Sequence, residues 1–235
     1  MLCAFDFDGT LAPIEVDPGL VYMPAAVARR LDILSSYASI AVVTGRAVAD
    51  VQARLGFAPS YVVGNHGLEG VPGCVFDAHF PLLCAEWEKS LHAMLQRHGL
   101  ASSGVRIENK GCSLSVHYRL ARDREYVESQ LATLIERLTP APHLVGGKCV
   151  FNLLPAAGMD KGAAVNRLME DCGAAGALYV GDDVTDEDVF RLRRRDLVTV
   201  RVEPATGTCA DFFLHHRLGM VQLLDELISR LRRHS

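Results

Sequence analysis

Six short apolar runs punctuate the chain, each closed by polar or glycine residues: LCAFDF (2–7), SIAVVT (39–44), YVVGN (61–65), ALYVGD (177–182), LVTVRV (197–202) and ADFFL (210–214). Runs of this length read as buried strands. Helical spacing lies between them, with Val27, Leu31 and Leu34 on one stripe, Val165, Leu168, Met169 and Cys172 on another, and Val221, Leu224, Leu227, Ile228 and Leu231 on a third. Near-continuous apolar strands that alternate with helices predict a parallel sheet covered on both faces, a doubly wound, Rossmann-like α/β core.

The pattern changes from about 82 to 157. A helix over about 84–98 leads into VRIEN and SLSVHYR around Lys110-Gly111-Cys112, which predicts a hairpin. A second helix, marked by Val127, Leu131, Leu134, Ile135 and Leu138, precedes HLVGGKCVFNLLP, read as two more strands around Gly146-Gly147. Strands adjacent in sequence imply an antiparallel sheet, so residues 82–157 are expected to form an α+β module inserted into a core made of 1–81 and 158–235. The arginine runs at 191–195 and 230–233 are expected on helices, as solvated faces.

A chain of 235 residues is long enough for this two-part plan. With 24 Lys and Arg against 28 Asp and Glu, it has no positive excess to attract nucleic acid or an anionic membrane. Seven cysteines without a CxxC pair suit neither a disulfide framework nor a zinc ribbon. The first apolar run is broken by Asp6 and has no basic leader, and nowhere do 18 apolar residues follow one another. A reducing, cytoplasmic setting is expected.

Candidate chemistry collects at strand ends. Asp6 and Asp8 sit two apart, so an extended chain turns both to one side, and the repulsion between them calls for a cation or protons. Thr44-Gly45-Arg46 closes the second run, and Gly181-Asp182-Asp183 closes the fourth. The C-terminal ends of strands in an open α/β sheet line one crevice, which should bring Asp6, Asp8, Thr44, Asp182 and Asp183 together. Each motif alone has a plain structural reading, as an Asp-rich turn, a strand-to-helix turn or an acidic helix start; their joint occurrence is what points to a site. Neither GxxxxGK[ST] nor GxGxxG is present, and the histidines form no HExxH, so they are read as structural.

In this order DFDGT, VVTGR, DKG and GDDVTDED resemble the four motifs of the haloacid dehalogenase-like phosphohydrolases. The resemblance implies that Asp6 attacks phosphorus and that Asp8 protonates the leaving oxygen and then activates water. It gives Thr44 and Lys161 the phosphoryl oxygens, with Gly9, Gly45 and Arg46 around them, and it implies Mg²⁺ held by Asp6, Asp8 and Asp182.

GNHGLE (64–69), ENKGCSLSVHYR (108–119), GGKCVFNLLP (146–155) and GDDVTDEDVF (181–190) narrow the resemblance to the trehalose-6-phosphate phosphatases. In that family the inserted module is a cap that closes on the disaccharide, which implies sugar contacts from Glu108, Lys110, Lys148 and Asn152. Two positions depart from the family pattern: Asn152 stands where a glutamate is usual, and Leu154 where a basic residue is. The implied activity is hydrolysis of trehalose 6-phosphate by a monomer acting on a small-molecule sugar phosphate. Another sugar or glycosyl phosphate as substrate, or phosphomutase chemistry, are the alternatives.

Overall fold

The computed structural model describes residues 1–15, 17–74, 77–147, 149–155 and 160–233. The chain divides into two compact units, Met1–Cys74 with Met159–Ser235, and Val75–Gly158.

The first unit is a six-stranded parallel sheet. Its strands are β1 (Leu2–Phe5), β2 (Ser39–Val43), β3 (Tyr61–Val63), β8 (Ala177–Gly181), β9 (Leu197–Val202) and β10 (Phe212–Leu214), in the order β10-β9-β8-β1-β2-β3. Residues of one strand sort by alternation onto two cores. Cys3 and Phe5, Ile40 and Val42, Leu178 and Val180 pack beneath α1 (Ala25–Leu34) and α7 (Met220–Arg232). Leu2 and Ala4, Ala41 and Val43, Ala177 and Tyr179 pack beneath α5 (Lys161–Asp171) and α6 (Glu187–Phe190). This is the expected doubly wound architecture. From β1 the chain moves outward to β2 and β3 and later returns to β8 on the other side of β1, so the order reverses between β1 and β8. Such a switch point opens a crevice beyond the strand ends.

The second unit holds α3 (His79–Arg97), α4 (Arg124–Ile135) and a four-stranded antiparallel sheet, β4 (Arg106–Asn109), β5 (Leu114–His117), β6 (His143–Gly147) and β7 (Val150–Leu154), in the order β4-β5-β7-β6. Leu114, Val116 and Leu153 face the helices and share a core with Trp87, Leu91 and Leu131. Ser115 and His117 occupy the alternate positions of β5, on the other face.

Local differences from the sequence pattern have local causes. Helix α3 starts at His79 rather than near 84, because the Asp77 carboxylate accepts from the His79 backbone N–H at 2.9 Å and Pro81 is tolerated in a first turn. The apolar stripe of Cys84, Trp87, Leu91 and Leu95 begins only later. The arginine run at 191–195 is not helical. Helix α6 ends at Phe190, Arg193 takes a left-handed φ of 46°, and Arg194 forks onto the Asp196 carboxylate at 2.9 and 2.7 Å. Gly146 and Gly147 lie inside β6, and the turn falls after them, where Cys149 takes a φ of 62°. The expected boundary at 157–158 lies outside the described residues. Among those described, no helix is long and apolar enough to cross a membrane.

Candidate active site

Strand β1 ends at Phe5, which leaves Asp6 as the first residue past the sheet and buried. Its backbone N–H still donates to the carbonyl of Val180 on β8, so the carboxylate is placed by the sheet itself. The chain then turns tightly, with Gly9 N donating to Ala12 O and Ala12 N to Phe7 O. Gly9 is required twice at this turn. Its φ is +82°, and a Cβ there would lie 2.2 Å from Oδ2 of Asp182.

Asp182 follows the end of β8 and accepts a hydrogen bond from the Thr10 hydroxyl at 3.3 Å. Lys161, the first residue of α5, is 2 % exposed and donates at 2.8 Å both to Asp6 Oδ1 and to Asp186 Oδ1. Asp186 also accepts from the Tyr179 hydroxyl at 2.6 Å and from the Asp183 backbone N–H at 2.8 Å. Asp186 and Tyr179 are the participants that the strand-end reading did not assign. Tyr179 was hidden inside an apolar run, and Asp186 inside a group of acids that also suits a helix start.

Carboxylate oxygens of Asp6, Asp182 and Asp186 lie within 4.8 Å of one another, all three residues buried. Burial pushes the Asp6 carboxyl well above its ordinary range; Lys161 opposes that rise, while Asp186 and Asp182 add to it. Burial works against the Lys161 ammonium, yet Asp186 and Asp6 outweigh it and raise its pKa. Three carboxylates against one ammonium leave an excess of negative charge. Hard oxygen donors in this surplus fit a divalent cation.

Thr44, at the end of β2, is buried, and its hydroxyl accepts from the Arg46 backbone N–H at 3.2 Å. Gly45 leaves room for the His66 ring, which would be 2.5 Å from a Cβ. Arg46 makes a two-pronged ion pair with Asp8, both contacts 2.7 Å, and also reaches Asp50 at 2.8 Å and the Pro18 carbonyl at 3.1 Å. Expected beside phosphate, its guanidinium meets two carboxylates and a carbonyl.

In the second unit, strand register places Glu108, Ser115, Asn152 and Val145 in one row across the sheet. The Ser115 hydroxyl donates to Asn152 Oδ1 at 2.6 Å, and His117 Nε2 meets Glu108 Oε2 at 2.9 Å. Lys110 lies in the β4–β5 turn, its N–H donating to Ser113 O. Lys148 lies outside the described residues.

The trehalose-phosphatase family profile matches residues 4–213, nearly the whole chain. The chain belongs to the trehalose-phosphatase family. A probable trehalose-phosphate phosphatase of Oryza sativa subsp. japonica is 30% identical over 206 residues, covering 81% of this chain and 54% of the relative. The trehalose-6-phosphate phosphatase of Escherichia coli is 30% identical over 210 residues, 86% of this chain and 77% of that protein. The chain spans about half the length of the plant relatives, 54–56%. In fold it is similar to a crystal structure described as a trehalose-6-phosphate phosphatase related protein, with a TM-score of 0.80 and 22% identity over the full length of both chains. That likeness concerns the fold.

Proposed function

We propose that the chain is a Mg²⁺-dependent phosphatase that hydrolyses trehalose 6-phosphate to trehalose and phosphate. The observation that carries this reading is the buried Asp6 at the strand-order switch, hydrogen-bonded to Lys161 and clustered with Asp182 and Asp186. Membership of the trehalose-phosphatase family supplies the substrate class.

Asp6 Oδ attacks phosphorus and the bond from phosphorus to the sugar oxygen breaks, with Asp8 giving that oxygen a proton. Water then attacks the aspartyl-phosphate, Asp8 takes its proton, and the Asp6–phosphorus link breaks to release phosphate. Thr44 and Lys161 hold phosphoryl oxygens, where fixed positive charge and donors favour the transferring group. Asp6, Asp182 and the Asp8 backbone carbonyl would hold Mg²⁺, which when bound neutralises phosphoryl charge. Gly9 and Gly45, which give room to the Asp182 carboxylate and the His66 ring, border the phosphate site together with Arg46, whose pair with Asp8 must open for Asp8 to carry a proton. In the second unit Glu108, Lys110, Lys148 and Asn152 recognise sugar hydroxyls. The reading includes a monomer in a reducing cytoplasm.

The test is phosphate release from trehalose 6-phosphate, sucrose 6-phosphate and glucose 6-phosphate, with the Asp6→Asn variant as control. Wild type is expected to prefer trehalose 6-phosphate, and the variant to lose turnover while still unfolding in one cooperative transition, since an amide is not a competent nucleophile. A preference of tenfold or more for another substrate would overturn the assigned sugar. Substantial residual turnover in the variant would overturn the mechanism.

A further inference from the structure

The fifth apolar run, LVTVRV, contains an arginine where a covered strand has no evident use for one. In the structure Arg201 is 9 % exposed, and strand register sets it beside Gly181, the residue before Asp182. Its guanidinium donates to the backbone carbonyl of Asp182 at 2.5 Å, to that of Asp183 at 3.2 Å and to Glu187 Oε1 at 3.1 Å. Glu187, also buried, uses its other carboxylate oxygen to accept from the Cys209 backbone N–H at 2.9 Å. The fork is therefore held in place from behind.

As a stabilising device this arrangement is poor. A buried ion pair gains little net stability, and the Nε of Arg201 is buried without a hydrogen-bond partner. What the arrangement supplies is geometry. Arg201 engages the carbonyls of Asp182 and Asp183, the Thr10 hydroxyl touches the carboxylate of Asp182, and Gly9 leaves that carboxylate room. A planar guanidinium can bind two carbonyls and a carboxylate at once, which an ammonium does less well.

We infer that Arg201, oriented by Glu187, is a positioning residue that fixes the Asp182–Asp183 backbone so that Asp182 faces the acidic cluster, and thereby sets the affinity for the divalent cation. The inference rests on the cation site of the proposed function and extends it to a residue outside the strand-end motifs. Partners that orient metal ligands typically contribute 10–100-fold to metal affinity.

The test is Mn²⁺ binding followed by electron paramagnetic resonance in the full chain, for wild type, Arg201→Ala and Arg201→Lys, with melting curves in metal-free buffer. Removing the arginine makes the neighbourhood more negative, so Coulomb attraction by itself would tighten cation binding. Positioning requires the opposite: affinity about tenfold weaker in Arg201→Ala, with Arg201→Lys between it and wild type. Reversible partial unfolding would itself weaken the apparent affinity by the reciprocal of the folded fraction, so the folded fraction read from the metal-free melting curves is divided out and only the loss beyond it counts as positioning. If Arg201→Ala does not fold, Arg201→Lys carries the test, with an expected loss of about threefold. Unchanged or tighter binding in the folded variant overturns the inference. Wild type that binds no Mn²⁺ overturns it together with the cation site, whereas wild type that binds Mn²⁺ but releases no phosphate overturns the phosphatase reading alone.

Discussion

Lys161 holds two buried carboxylates, Asp6 and Asp186, at 2.8 Å each, so its removal leaves both without their ammonium. Breaking a buried pair from one side typically costs about 3–5 kcal/mol. Lys161→Met is expected to lose that much in denaturant unfolding, and adding Asp186→Asn should recover part of it; full additivity would show that the two groups do not interact. Asn152 presents a different residue-scale case. Its Oδ1 is taken by the Ser115 hydroxyl, which leaves the amide N–H groups to meet a sugar. Hydrogen bonds to charged groups contribute about 1.5–3 kcal/mol against about 0.5–1.5 for neutral ones, a difference of roughly tenfold in binding. Asn152→Glu is therefore expected to lower KM for trehalose 6-phosphate by about tenfold, and an unchanged or higher KM would show that this position does not meet the sugar. Sequence alone singled out Lys161 and Asn152 as residues, but the Asp186 and Ser115 that hold them come from other positions in the fold.

At the scale of elements, α2 (Val48–Gln52) shows how a short helix is tied to the site. Asp50 on this helix accepts from Arg46 at 2.8 Å and from Arg54 at 2.6 and 3.0 Å. Burial alone would raise its pKa, but the hydrogen bonds and charges of Arg54 and Arg46 outweigh it and hold the carboxyl below the ordinary 3.8. A depressed folded-state pKa means that the stabilisation is present above about pH 4 and is lost as the pH falls through the lower folded value. Wild type should lose melting temperature more steeply than Asp50→Asn as the pH falls below about 4, and parallel curves would exclude a contribution from Asp50. The strands were legible from apolar runs because covered strands carry them on both faces. The start of α3 and the turn at 191–195 were not, because a side-chain turn at Asp77 and a left-handed arginine, rather than periodicity, decide them.

For the whole molecule, the proposed activity is expected to disappear in excess chelator and to return with Mg²⁺. Ca²⁺ should restore little, because its longer bonds and higher coordination number can engage a second oxygen of Asp6 and disable it as a nucleophile. Phosphate release measured across these conditions checks both expectations, and full activity in chelator would remove the cation from the reaction. Alternation of short apolar runs with helical stripes was enough to specify a parallel α/β core and an antiparallel module, since each pattern has a favourable burial in only one kind of layer. The sequence also led to the expectation that Asp6, Asp8, Thr44, Asp182 and Asp183 line one crevice, because residues at strand ends share a side of the sheet, and of these the structure brings the carboxylates of Asp6 and Asp182 within 4.8 Å of each other. Only the tertiary structure decided that Arg46 pairs with Asp8, that Asp186 and Tyr179 complete the grip on Lys161, and that Arg201 reaches back to the Asp182 carbonyl. Those choices depend on the reach and direction of side chains from neighbouring strands, which no one-dimensional spacing encodes.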